Sequence, residues 1–221
     1  MAAKISAHDV LELVLDAGSF VSWDTAPVDA RPNEKYRADL RKAAEKSGVD
    51  ESVITGVGTV RGRPVAVIAC EFAFLAGSIG VAAAERIVSA IERATREGLP
   101  LLASPTSGGH THAGGTVAFV QMVKIAAAVA THKAAHLPYL VYLRNPTTGG
   151  VFASWGSLGH ITVAEPGALV GFLGPPRLRG AVRREIPPRG RADIREPVPQ
   201  RRHRRRRPCH APAPARPSGV R

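Results

Sequence analysis

The chain has 221 residues, of which 44% are hydrophobic and only 5% aromatic, with a formal net charge of +12. That length holds one large domain or two small ones, and an aliphatic, glycine-rich composition suits closely packed α/β layers. Cys70 and Cys209 give neither a disulfide framework nor a zinc spacing, no apolar run approaches the roughly 20 residues of a membrane span, and the N-terminus lacks the apolar core of a signal peptide, so a cytoplasmic protein without membrane association is expected.

Residues 6–16 predict a short helix in which Ser6 caps the first turn with Asp9, and Val10, Leu11, Val14 and Leu15 form the apolar stripe. A loop with two prolines covers residues 24–33. Residues 36–46 predict a charged surface helix that Gly48 ends. Two strands follow, over 52–60 and 64–72, joined by Arg61-Gly62-Arg63 into a β-hairpin. Cys70 falls in the second and reads as a buried, inert thiol.

The small-residue turn Ala76-Gly77-Ser78-Ile79-Gly80 leads into a helix over 81–96. Its Ala84, Ile87, Val88 and Ile91 face one side, and Glu85, Arg86, Glu92 and Arg93 the other. A strand over 99–103 ends at Pro105-Thr106-Ser107-Gly108-Gly109, and a long helix spans 116–136. Another buried strand, 138–143, ends at Asn145-Pro146-Thr147-Thr148-Gly149-Gly150. Residues 160–164 predict a short strand, and 166–172 continue the core. Strands alternating with helices imply right-handed βαβ units over a largely parallel sheet.

Residues 176–221 carry 15 arginines, no lysine, 3 acids and 9 of the 18 prolines, which leaves residues 1–175 with as many acids as bases. Such a segment cannot bury enough apolar surface to offset chain entropy, so a disordered tail is expected. Its run Arg201 to Arg207 permits salt-dependent, non-specific contact with nucleic acid. No fold or aromatic pattern supports that use, so nucleic acid is the secondary reading.

Two strand-to-helix connections that each end in a glycine pair carry more weight than either alone. Backbone N–H groups at Gly108, Gly109, Gly149 and Gly150 form a ready oxyanion hole, stabilising developing negative charge without asking a side chain to ionise. Glycine lets a ligand carbonyl approach the backbone and permits positive φ. The plainer alternative is two tight turns. Ser107 lacks the nucleophile-elbow pattern, and no phosphate-loop pattern is present. Glu71 and Glu165 read as hydrogen-bonded structural carboxylates. His8, His132 and His136 read as surface or satisfied core histidines, and His160 has no evident partner. His110 and His112 have the spacing that opens a metal site.

Several motifs occur together and in order: Glu71-Phe72-Ala73-Phe74-Leu75-Ala76-Gly77-Ser78-Ile79-Gly80, Ser107-Gly108-Gly109, Pro146-Thr147-Thr148-Gly149-Gly150-Val151-Phe152-Ala153-Ser154 and Ala164-Glu165-Pro166-Gly167-Ala168-Leu169-Val170-Gly171-Phe172. With them, residues 16–175 resemble the carboxyltransferase of biotin-dependent acyl-CoA carboxylases, above all the β half of the acetyl-CoA carboxylase transferase. The resemblance implies a crotonase-like fold and transfer of a carboxyl group from carboxybiotin to acetyl-CoA, giving malonyl-CoA for fatty-acid synthesis. It gives Gly108 and Gly109, with Gly149 and Gly150, the stabilisation of enolate-like oxygens. It also implies an acyl-CoA substrate, carboxybiotin on a separate biotin carrier protein, an α-type partner half, a biotin carboxylase and an oligomer. A related hydratase or protease of the same fold would lack the Thr147–Thr148 glycine motif.

Three departures accompany the resemblance. The four-cysteine zinc ribbon of many β subunits is missing, so no zinc is expected. His110-Thr111-His112-Ala113-Gly114-Gly115 stands where the family has Thr-Arg-Met-Gln-Glu-Gly, and the Arg/Pro-rich tail stands where it has a further helix and strand. Codons for both segments can be written so that a one-base shift restores the family pattern. Residues 110–115 and 176–221 therefore read as out of frame, and the fold as incomplete at its C-terminal side. Weak or absent transferase activity is expected of the chain by itself, with a non-catalytic remnant as the alternative.

Overall fold

The computed structural model describes residues 5–29, 32–109 and 115–172. The expectations for residues 110–114 and for the tail 176–221 lie outside them.

Helix α1, Ala7–Val14, begins with a reciprocal capping box: Ser6 Oγ accepts the Asp9 N–H at 3.1 Å and the Asp9 carboxylate accepts the Ser6 N–H at 2.7 Å. Ala7, Val10, Leu11 and Leu15 are buried, while Val14, expected in the same stripe, is exposed. A two-residue strand, β1 (Val21–Ser22), follows, too short to leave a periodic signal. Helix α2, Glu34–Ser47, is capped by Asn33, whose side chain accepts the Tyr36 N–H, and is closed by Gly48 at φ +74°.

β2 (Val53–Val60) and β3 (Arg63–Cys70) make the hairpin, paired from Val53 against Cys70 to Val60 against Arg63. The turn is Arg61-Gly62 alone, with φ of +52° and +74°, the double left-handed geometry that matches strand twist. Arg63 already belongs to β3. The Asp16 carboxylate clasps this turn, accepting the N–H groups of Arg61 at 2.9 Å and Gly62 at 2.8 Å and the Thr59 hydroxyl at 2.6 Å. Those donors, the Thr59 hydroxyl first, hold its carboxyl below the usual range.

The remaining elements are α3 (Val81–Arg96), β4 (Leu101–Ser104), α4 (Gly115–Ala134), β5 (Tyr139–Leu143), β6 (Thr147–Thr148), a π-helical turn (Phe152–Gly156), β7 (Ile161–Ala164) and β8 (Val170–Gly171). The main sheet runs β1-β2-β3-β4-β5-β7, antiparallel from β1 to β3 and parallel from β3 to β7. The β3–β4 and β4–β5 crossovers carry α3 and α4, which pack on one face with Ile68, Ile87, Ile91, Leu101, Ile125, Val129, Tyr139 and Trp155 in the core. On the other face, Leu11 and Leu15 meet Ile54, Val65, Val67 and Ala69. No helix among the described residues is long and apolar enough to cross a membrane.

Two expectations are corrected. Arg86 is buried rather than solvent-facing: its guanidinium donates to the Asp50 carboxylate at 2.9 and 2.6 Å, to the Val53 carbonyl at 3.2 Å and to the Thr25 carbonyl at 2.6 Å. Those acceptors make a buried cation tolerable. Residues 166–172 reach the core only through Val170, which packs half-buried against it. Half-buried β8 pairs with fully buried β6 in a separate two-stranded parallel sheet, and Phe172 is exposed with its ring edge-on to Phe152.

Candidate functional site

β4 and β5 are parallel neighbours, so their C-terminal ends open on the same edge of the sheet. Chain reversals after parallel strands converge there, and both glycine pairs do. Ser107 bridges to Thr147 as a short continuation of the pairing. The Ser107 N–H donates to the Pro146 carbonyl at 2.7 Å, and the Ser107 carbonyl accepts the Thr148 N–H at 3.0 Å and the Thr148 hydroxyl at 3.1 Å. Thr147 locks the corner, its hydroxyl donating to the carbonyls of Pro105 at 3.0 Å and Arg144 at 2.7 Å.

The pairs touch. Gly109 and Gly149 both adopt positive φ, +70° and +68°. A Cβ on Gly109 would stand 2.6 Å from Thr148 Oγ1, and one on Gly149 would stand 3.1 Å from the Gly109 Cα. Neither position has room or conformation for a side chain. Beside Gly150, a Cβ would lie 3.5 Å from Met122 Cγ, an ordinary contact. Met122 of α4 and Ser154, whose hydroxyl donates to the Gly150 carbonyl at 2.7 Å, form the adjoining wall.

The four N–H groups are not equivalent. Gly108 is buried and donates to the Ala76 carbonyl at 3.0 Å; Gly149 donates to the Gly171 carbonyl at 3.0 Å. Gly109 is exposed, and among the described residues its N–H reaches only the hydroxyl of Ser107 at 3.3 Å. Gly150 opens the helical turn, where N–H groups have no intrahelical acceptor. In each pair the fold thus takes up one N–H, that of Gly108 or Gly149, and leaves Gly109 and Gly150 as the candidate donors among the described residues. Sequence reasoning missed the acceptors Ala76 and Gly171 and the Thr148 and Met122 contacts. Thr148 stood inside a quoted motif and Met122 on an apolar helix face, but neither signal indicated what it touches.

The other candidates resolve into structure. Glu71 is buried and accepts the N–H groups of Ala7 and Ala73, each at 2.8 Å, and Glu165 accepts the Asn145 N–H at 2.9 Å. His132 is buried between the Thr95 hydroxyl at 2.9 Å and the Pro138 carbonyl at 3.3 Å, and burial lowers its pKa. His160 does have a partner: its Nδ1 accepts the Tyr139 N–H at 3.0 Å, which leaves any ring proton on Nε2. Burial pushes the Cys70 thiol up to about 11, the inert state expected of it. Arg144, not singled out in sequence, is buried and donates to the carbonyls of Ile5, Ser6 and Cys70; burial lowers its pKa. Among the described residues no three His, Cys, Asp or Glu converge on a metal position. His110 and His112 lie outside those residues.

Comparison with known proteins follows the same pattern. Residues 3–186 match the carboxyl transferase domain family. The chain is 65% identical over 173 residues to a probable biotin-dependent acyl-coenzyme A carboxylase beta3 subunit of Mycobacterium tuberculosis, covering 78% of this chain and 35% of that protein. It is 40% identical over 189 residues to the acetyl-coenzyme A carboxylase carboxyl transferase subunit beta of Opitutus terrae, covering 83% of this chain and 65% of that one. The chain thus spans about a third of the mycobacterial relative and just under two thirds of the other. Among solved structures, the transcarboxylase 12S with methylmalonyl-coenzyme A and methylmalonic acid bound aligns with a TM-score of 0.65 at 25% identity, over 80% of this chain and 32% of that one. A Pseudomonas malonate decarboxylase hetero-dimer aligns at 0.62 and 23% identity, over 80% and 69%. The architecture is the crotonase-like one expected.

Proposed function

The chain belongs to the carboxyl transferase domain family, and from that premise we propose that it is the acyl-CoA-binding part of a biotin-dependent carboxyltransferase, acting in the cytoplasm. The observation that supports this most is the contact of Gly149 with Gly109, which brings the two glycine pairs together at one rim of the sheet. A thioester carbonyl placed there accepts from both. The enolate formed when the acyl α-carbon loses its proton carries its charge on that same oxygen, so the two donors stabilise it more than the ground state.

Carboxybiotin on a separate carrier protein would, when bound, supply the carboxyl group and a biotin nitrogen that takes up the α-proton as the carboxyl leaves it. The chain's own residues orient the thioester and hold the enolate oxygen. A biotin carboxylase that recharges the carrier and an α-type half that closes the site complete the assembly. Acetyl-CoA, giving malonyl-CoA, is the substrate we would test first. The relative at 65% identity is named for acyl-coenzyme A and the one at 40% for acetyl-coenzyme A.

Gly150 offers a clean test. Proline is tolerated in a first helical turn and removes the N–H, whereas alanine at the same place keeps it and meets Met122 at ordinary distance. With acetyl-CoA labelled with 13C at the carbonyl, binding to the unaltered chain is expected to move the carbonyl resonance downfield. Gly150→Pro should abolish that shift and Gly150→Ala retain it. In an assembly with an α-type half and carboxylated carrier, removing one donor is expected to cost about 10²–10³ in kcat. No binding and no shift with the unaltered chain would overturn the reading.

A further inference from the structure

Between β3 and α3 the chain makes a turn that the glycine chemistry does not explain. Leu75, Ala76 and Gly77 take φ of +44°, +55° and +67° in succession. Two of the three carry side chains in a region L-residues avoid. Such a run persists only where its surroundings over-determine it, and here they do. Phe74 is buried in the core at its start, and the Gly77 N–H donates back to the Phe74 carbonyl at 2.9 Å and the Ser78 N–H to the Leu75 carbonyl at 3.2 Å. Downstream, the Ser52 hydroxyl donates to the Ser78 carbonyl at 2.8 Å and Ile79 is buried. Upstream, Glu71 holds the Ala73 N–H.

The turn bears directly on the first glycine pair. A Cβ on Gly77 would overlap the Thr106 carbonyl oxygen and stand 3.3 Å from the Ser107 Cα. The Ala76 carbonyl, aimed by the left-handed backbone, takes the Gly108 N–H at 3.0 Å. From the opposite side the Ser107 carbonyl is held by Thr148. The peptide unit joining Ser107 to Gly108 is thus gripped at both its carbonyl and its N–H, one residue before the Gly109 amide.

We propose that the turn Leu75–Gly77 is the positioning element of the site: the Ala76 carbonyl fixes Gly108 so that the Gly109 N–H is held ready for a thioester oxygen. Ala76 is a positioning residue, since it acts through Gly108. The second half of this statement rests on the function proposed above; the coupling of the turn to Gly108 does not.

Amide hydrogen exchange read by NMR tests the coupling with no ligand present. Gly77→Ala inserts an atom where Thr106 stands and strains the turn. Gly98→Ala is the matched control, because Gly98 has the same φ of +67° with nothing within 4 Å. Gly77→Ala is expected to speed Gly108 exchange by at least about tenfold relative to Ile68 in β3, and Gly98→Ala to leave it unchanged. Unchanged Gly108 protection in folded Gly77→Ala overturns the proposal. Should that variant not fold, the unaltered chain decides: Gly77, Ser78 and Gly108 are expected to exchange with one common denaturant dependence, and independent dependences overturn the proposal. With 13C-carbonyl acetyl-CoA, Gly77→Ala is expected to bind with little change in Kd but with a smaller downfield shift than the unaltered chain. A full-size shift despite lost Gly108 protection overturns the positioning role while the proposed function stands. The absence of any shift in the unaltered chain overturns the function and the positioning role with it.

Discussion

The strands that flank the glycine site on its two sides, β3 and β7, are built differently. On one side, β3 is paired along its length with β2 and over Ala66–Ala69 with β4, and it is covered on both faces there, so that Ile68 is 1% exposed. On the other, β7 has a neighbour on one side only among the described residues, and Ile161 and Val163 are 61% and 53% exposed. The glycine site lies between them, one pair leaning on the turn after β3 and the other on β8. Burial, rather than strand pairing as such, is what makes a strand resistant to change. The β3 flank therefore forms the rigid support, and the Gly149 anchor depends on a half-buried two-residue strand.

The same change made on both flanks gives the sharpest contrast. Ile68→Ala is expected to destabilise by about 2–5 kcal/mol, through lost burial and the cavity left behind, measured as a shift in the urea midpoint. Arg86→Met should cost less, about 1–3 kcal/mol, because it leaves the Val53 and Thr25 carbonyls without their donor while Asp50 can turn to water. A change in melting temperature no larger than that of an exposed arginine substitution would deny Arg86 its structural part.

His132 gives the pH dependence. Its folded-state pKa is lowered by burial, below its ordinary 6.5, so the unfolded chain takes the proton first. The stability tied to the neutral ring is full above pH 6.5 and declines as the pH falls below that value. The urea midpoint should drop between pH 7.5 and 5.5, and His132→Gln should flatten that part of the profile. Smallest of all, Ile161→Ala is expected to stay within about 0.5 kcal/mol of the unaltered chain. Equal losses for Ile161→Ala and Ile68→Ala would erase the distinction between the flanks.

Local chemistry was readable from the sequence wherever cause and effect sit within a few residues. The Ser6–Asp9 box, the hairpin turn at 61–63 and the Gly48 stop are of this kind; all three are present, the turn shorter by Arg63, which belongs to β3. Arg86 was misjudged because helical periodicity registers polarity, whereas its burial depends on Asp50, a partner 36 residues away. Residues 166–172 are apolar and read as core, yet only Val170 packs against it; β8 answers to β6 and the Gly149 N–H, a pairing with no local signature. The glycine pairs were visible as chemistry. Which N–H of each stays available was not, since that depends on carbonyls at Ala76 and Gly171 supplied by other parts of the fold.

The order of the main sheet, β1-β2-β3-β4-β5-β7, rises steadily along the chain. Every strand joins the outer edge of those already made, and none has to be slotted between two earlier partners. During synthesis, at about 5–20 residues per second, each strand can dock as it leaves the ribosome without reopening a pair already formed. The hairpin thus becomes the seed of a template that grows by accretion.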